Sequence, residues 1–281
     1  MARIVCVHGI AQQFKGANTL LSEWYPALAD GAERAGTKVA AEDVEMAFYG
    51  DLFRPEGHRS VGLPPYGADD VAEGLERDLL RALWEEAARS DPSVPGPDAP
   101  VRFGAPGWVQ RALTSLSHHS AFAGVADRAM VADLKQVRAF FTDPEVRAAA
   151  RERVRERIGP DTRLVVAHSL GTVVAYEALC DSADIPELDL VTLGSPLGIA
   201  GLIFDRLTPA PVGGRGTRPP AVRAWTNVAD RRDVVALVKE LEPLFGGIDD
   251  RPVDNGPKAH DASPYLTSEE VGRAVAAAPT D

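Results

Sequence analysis

Apolar positions along the chain follow two periods. Short β-branched runs at Arg3 to Val7, Val44 to Tyr49, Arg163 to Ala167, Leu188 to Leu193 and Val222 to Val228 read as buried strands. Between them, apolar residues recur at helical spacing. Leu20, Leu21, Trp24, Leu28 and Ala32 mark a helix over Thr19 to Ala35, with Gly36 as its stop. Asp143-Pro144 reads as an N-cap and first-turn pair, opening a helix that runs to about Ile158, where Gly159-Pro160 ends it. A further helix follows Ser169 to about Asp181, another starts over Arg231 to Leu241, and a closing helix spans Thr267 to Ala277. Thr208 to Pro220 and Phe245 to Ala262 read as loops. Strands alternating with helices predict an α/β fold with a mostly parallel central sheet and helices on both faces.

The alternation breaks between Asp51 and Thr142. No strand is expected there. Pro55, Gly57, Gly62, Pro64, Pro65 and Gly67 mark an irregular stretch, and Asp91 to Pro100 carries four prolines. Helices are expected over Asp70 to Ser90 and from Trp108 to Phe141, the latter broken near His118 or Gly124. The expectation is one domain over 1–281, with 51–142 inserted as a mainly helical cap or lid.

Composition narrows the class. Of 281 residues, 45% are hydrophobic and 25% charged, as in an ordinary globular protein. Thirty basic against 41 acidic residues give a net charge of −11, which argues against a nucleic-acid partner. No apolar run approaches the roughly eighteen residues that span a bilayer, and no signal-peptide pattern precedes the first strand. Cys6 and Cys180 are expected as buried thiols, so the location expected is the cytoplasm. Adjacent His118 and His119 point in different directions on a helix, and no ligand spacing accompanies them. Neither a metal nor a cofactor is expected.

The candidate chemistry lies at Ala167-His168-Ser169-Leu170-Gly171, where a buried strand stops at a serine and a helix begins. This is the layout of a nucleophile elbow, G-x-S-x-G, with Ala167 in place of the first glycine. Such a turn strains the serine backbone and needs small neighbours two residues to either side.

Together with Val7-His8-Gly9, with Thr192-Leu193-Gly194-Ser195-Pro196-Leu197, with an Asp after the next strand and with a later His, the chain resembles the α/β-hydrolase superfamily in its lipase/esterase-like branch. The resemblance covers nearly everything outside the insertion. It implies the chain order Ser, Asp, His and a start without the two leading strands of larger members. It also implies Ser169 as nucleophile and His260, in the loop before the last helix, as general base. Asp233 is favoured as the orienting acid, with Asp230 as the alternative. The oxyanion hole would be built from the N–H groups of Leu170 and of Ile10, with Ala11 next in line. Gly9 lets the backbone approach the site, His168 shapes the pocket, and Ser195 and Leu197 belong to a pocket wall. The function implied is a serine hydrolase acting on a small-molecule ester in preference to a thioester or amide, through an acyl-enzyme. An acyltransferase using the same residues and a catalytically silent binding module are the alternatives. Trp84, Trp108, Phe140 and Phe141 in the insertion suit an apolar acyl group. The oligomeric state is left open.

Overall fold

The computed structural model describes residues 3–54, 62–100, 104–119, 122, 125–181 and 184–279. The expected elements at Pro55, Gly57 and Gly124 lie outside them. Six parallel strands form one sheet in the order β2-β1-β3-β4-β5-β6. They are β1 (Ile4–Val7), β2 (Val44–Ala47), β3 (Leu164–His168), β4 (Leu188–Leu193), β5 (Val222–Asp230) and β6 (Ile248–Val253). The helices are α1 (Ala17–Arg34), α2 (Leu75–Ser90), α3 (Trp108–His118), α4 (Asp127–Thr142), α5 (Pro144–Arg155), α6 (Leu170–Cys180), α7 (Glu242–Phe245), α8 (Ala262–Leu266) and α9 (Glu269–Ala277).

Strand alternation sorts the core into two layers. Val5, Val7, Val165 and Ala167 face one side, with α2 to α6; Ile4, Cys6, Leu164 and Val166 face the other, with α1, α8 and α9. Every residue of β1, β3 and β4 is buried, which suits the apolar runs of β1 and of β3 up to His168; β4 is apolar except at Asp189 and Thr192. Each aliphatic side chain so buried contributes about 1.5–3 kcal/mol. At α5 the sequence signal is realised as expected. Asp143 accepts from the amides of Glu145 at 2.9 Å and Val146 at 3.2 Å, and Pro144 occupies the first turn.

Two elements differ from the sequence reading. Arg231 to Leu241 is not a helix but a succession of turns and bends. Asp233 Oδ1 accepts from the amides of Val235 at 2.9 Å and Ala236 at 3.3 Å, the bonds of a helix N-cap, but no helix follows it. Val234, Ala236 and Leu241 are buried along these turns. The supposed loop Phe245 to Ala262 contains the edge strand β6, and the closing helix begins earlier, as the pair α8 and α9. In sequence β6 is Ile-Asp-Asp-Arg-Pro-Val, with no apolar alternation to announce it. It is held by the backbone ladder to β5 and by Asp250, whose carboxylate accepts from Asn227 Nδ2 at 2.8 Å and from the Leu241 amide at 2.9 Å. Pro252 is tolerated on such an edge.

Among the described residues the insertion carries no strand. Its helices α2, α3 and α4 pack on one another and on the first layer of the core. The strand order reverses direction between β1 and β3. A crevice opens at such a switch point beyond the carboxyl ends of the strands, where ligands bind in open α/β sheets.

Candidate active site

Ser169 sits at that crevice, on the residue joining β3 to α6. Its φ is 55° and ψ −132°, a conformation that costs a non-glycine residue about 1–3 kcal/mol. The surroundings enforce it. The Ser169 amide donates to Leu193 O at 3.0 Å, and its carbonyl accepts from Thr172 N at 2.9 Å and Thr172 Oγ1 at 2.7 Å. Gly171 permits the close approach of β1, since a Cβ there would lie 2.2 Å from His8 O. Gly9 does the same from the opposite side, where a Cβ would come within 2.7 Å of Ser169 Cβ.

His260 Nε2 lies 3.0 Å from Ser169 Oγ, and His260 Nδ1 lies 2.8 Å from Asp233 Oδ2. A carboxylate only accepts, so Nδ1 carries the proton and Nε2 offers its lone pair to the serine hydroxyl. Asp233 is fully buried. Burial alone would raise its carboxyl, but the His260 charge and the hydrogen bonds from His260, Tyr265 and Val235 outweigh this and hold it at about 2. Tyr265 Oη donates to the same Oδ2 at 2.8 Å. The Lys239 ammonium donates to the Asp233 carbonyl and faces Glu86 of α2 at 3.7 Å, which links the insertion to the acid's loop.

Asp230 has other partners. Its carboxylate accepts from the Arg232 amide at 2.7 Å and from the Asn255 amide. Asn255 in turn donates through Nδ2 to Ala259 O at 3.2 Å. Asp230 therefore ties down the loop that carries His260 and does not touch the imidazole. His168 holds the same loop from the other side, its Nε2–H donating to His260 O at 2.8 Å. Burial pushes the His168 imidazole down to about 3 and that of His8 down to about 4, so both rings are neutral. His8 donates from Nδ1 to Gly9 O at 2.7 Å and accepts from the Tyr49 amide at 3.1 Å, which fixes the start of the loop after β1.

Leu170 is the first residue of α6, where an amide has no intrahelical acceptor. In the facing loop, Ala11 is left-handed with φ 64°, and its amide donates to Gln136 Oε1 of α4 at 3.1 Å. With the Ala11 amide so committed, Ile10 is the loop's candidate donor. Both Leu170 and Ile10 border a cavity of about 280 Å³ that also exposes Ser169, His260, Gly9 and His168.

The insertion supplies most of the cavity's outer wall through Leu79, Leu83, Leu116, Met130, Leu134 and Val137. Of the residues expected in the wall, Ser195 and Leu197 lie outside it. Ser195 Oγ is turned to Thr172 Oγ1 at 2.8 Å, the Leu197 side chain is buried in the core, and Pro196, Ile199 and Ile203 take their place at the surface of the cavity. Trp84, Trp108, Phe140 and Phe141 also pack away from it.

Tyr265, Gln136 and Asp133, which also lines the cavity, were not legible as site residues. Asp133 alone had a sequence signal, because it shares a helix face with Met130, Leu134 and Val137. Among the described residues no group of three or more His, Cys, Asp or Glu side chains is arranged to hold a metal, and no helix is long and apolar enough to cross a membrane. Cys6 and Cys180 are free thiols, Cys6 buried and Cys180 half-buried.

No protein-family model matches the chain, and no curated protein matches it in sequence.

Proposed function

We propose that the protein is a serine hydrolase of the α/β-hydrolase type that cleaves a carboxylic ester through an acyl-enzyme, with 51–142 as its cap. The observation that carries this reading is the hydrogen-bonded chain from Ser169 Oγ through His260 to Asp233, on a strained strand-to-helix turn facing an apolar cavity.

Each part has a chemical task. A serine hydroxyl is a weak nucleophile until a base takes its proton. As Ser169 Oγ attacks the acyl carbon, its proton passes to His260 Nε2, and Asp233 stabilises the imidazolium. The carbonyl oxygen becomes an oxyanion between the N–H groups of Leu170 and Ile10, each such donor contributing roughly 3 kcal/mol. Collapse of this intermediate breaks the bond to the alcohol oxygen, which leaves with the proton from His260. Water then attacks the acyl-serine, His260 takes the water's proton, and the second collapse returns that proton to Ser169 and releases the acid. The apolar cavity walls favour an aliphatic group on the substrate.

A fluorophosphonate probe tests the reading. Covalent labelling of the folded protein that is lost in Ser169→Ala supports it. Absence of labelling in the folded wild type favours a binding module. Turnover of p-nitrophenyl esters of increasing chain length, with and without an added alcohol acceptor, then separates hydrolysis from acyl transfer.

A further inference from the structure

Asp133 breaks the chemistry of the cavity wall. On α4 it stands three residues after Met130, next to Leu134 and four before Val137, so helical geometry places it in the stripe that faces the cavity. Neighbouring positions in that stripe are aliphatic. The Asp133 carboxylate makes no hydrogen bond or ion pair with any other described residue. An apolar side chain would continue the wall, whereas the half-buried carboxyl there has no partner from the described protein. Enclosure pushes it up to about 7, against a downward pull from the His260 charge. The other titratable side chains on the cavity are His8, His168, His260 and Asp261. His8 donates to Gly9 O, His168 to His260 O, and His260 to Asp233, while Asp261 faces Lys258 at 3.3 Å. Asp133 is left as the unengaged acceptor within an aliphatic chamber, and uncompensated polar groups of this kind mark functional positions.

We infer that Asp133 is a specificity-determining residue, selecting aliphatic substrates that carry a hydrogen-bond donor, a hydroxyl or an ammonium, over plain aliphatic ones. The inference deepens the hydrolase reading, on which the word substrate rests. A hydroxyl donates to the carboxylate on a wall whose neighbouring positions, Met130, Leu134 and Val137, offer only dispersion. An ammonium does the same and adds charge pairing in a chamber of low dielectric. A plain alkyl chain leaves the carboxylate unpaired and drier than before, so it is disfavoured by the penalty that rejects ligands lacking an expected polar group.

The test uses binding, so that it stands apart from turnover. NMR titration of Ser169→Ala at pH 9, where the Asp133 carboxyl is ionised and only accepts, gives dissociation constants for hexylammonium, 1-hexanol and methyl pentyl ether, three ligands of similar size, of which the ether has no donor. At least one donor ligand is expected to bind about tenfold or more tightly than the ether. Adding Asp133→Leu should abolish or invert that ranking. Adding Asp133→Asn should remove a preference for the ammonium and keep one for the hydroxyl, which tells the two donors apart and serves if the Leu variant fails to fold. Equal or tighter binding of the ether, a ranking unchanged by replacing Asp133, or no binding of any of the three overturns the inference. If the ranking holds while the fluorophosphonate fails to label Ser169, the hydrolase reading falls and the selectivity of the pocket stands.

Discussion

Asp230 and Asp233 are separated by two residues, and both are buried at the carboxyl end of β5, yet they serve different ends. Asp233 meets the imidazole, while Asp230 meets backbone amides of its own turn and of the loop before His260. Asp233→Asn should therefore lower kcat/KM for an ester by about 10⁴-fold, the scale seen when such an acid loses its charge, with the fold retained. Asp230→Asn should cost instead about 1–3 kcal/mol of stability, since one of its two backbone bonds is lost. Steady-state kinetics and denaturant unfolding of the two variants check the division, and the reverse pattern would exchange their roles. Tyr265→Phe removes one donor from Asp233 Oδ2 and should reduce activity far less than Asp233→Asn. At Gly9 the argument is steric: a Cβ 2.7 Å from Ser169 Cβ must displace the serine, so Gly9→Ala should lose activity while its circular dichroism stays that of the wild type.

At the scale of elements, the loop after β1 depends on a helix more than a hundred residues away in sequence. Gln136 of α4 accepts from the Ala11 amide and donates to Gln13 Oε1 at 3.3 Å, so the insertion holds the backbone that presents Ile10. Ala11 sits at a positive φ that an alanine does not choose, so the contact also maintains a strained turn. Gln136→Leu keeps the side-chain volume and removes both bonds. On the proposed mechanism it should lower kcat more than it raises KM, because the donor it misplaces would act on the transition state. A variant with unchanged kcat would show that the loop is set by β1 and His8 alone. The edge strand β6 illustrates the converse: it is polar in sequence and exists through what β5 and Asn227 offer it.

For the whole molecule, three titratable groups, His8 and His168 buried and Asp133 half-buried, set opposed responses to pH. His8 and His168 are pushed down to about 4 and 3, below the ordinary histidine value near 6.5. Between those values the unfolded chain binds protons that the folded one refuses, so stability should fall as pH drops from about 6.5 towards 3, each histidine contributing on the order of a few kcal/mol. Asp133 acts in the other direction. Its folded carboxyl is raised to about 7, so the folded state holds a proton that the unfolded one has released above about pH 4, and the group destabilises the fold as pH rises through that window. Asp133→Asn should melt close to the wild type at pH 4. Above pH 7 it should gain by up to about 4 kcal/mol, less where water in the cavity reaches the carboxylate. Thermal unfolding of both proteins at pH 4, 6 and 8 measures the difference, and a gap independent of pH would mean that Asp133 is not desolvated.

Local chemistry by itself determined five of the strands, the helices α1, α5 and α6, the turn at Ser169 and the glycines that make room for it. A buried parallel strand is a continuous apolar run and a strained elbow needs small neighbours, so both are written in adjacent residues. The pairing of Ser169 with His260 was suggested by chain order and the resemblance. The resemblance favoured Asp233 over Asp230, and the fold sets Asp233 against His260; only the tertiary structure brought in Tyr265 and Gln136, turned Ser195 and Leu197 away from the cavity and added β6 to the edge of the sheet. The physical reason is common to all of these. Each depends on a partner group brought to hydrogen-bond or packing distance from a separate element. Sequence periodicity records which face of its own element a residue occupies, and not what stands opposite it.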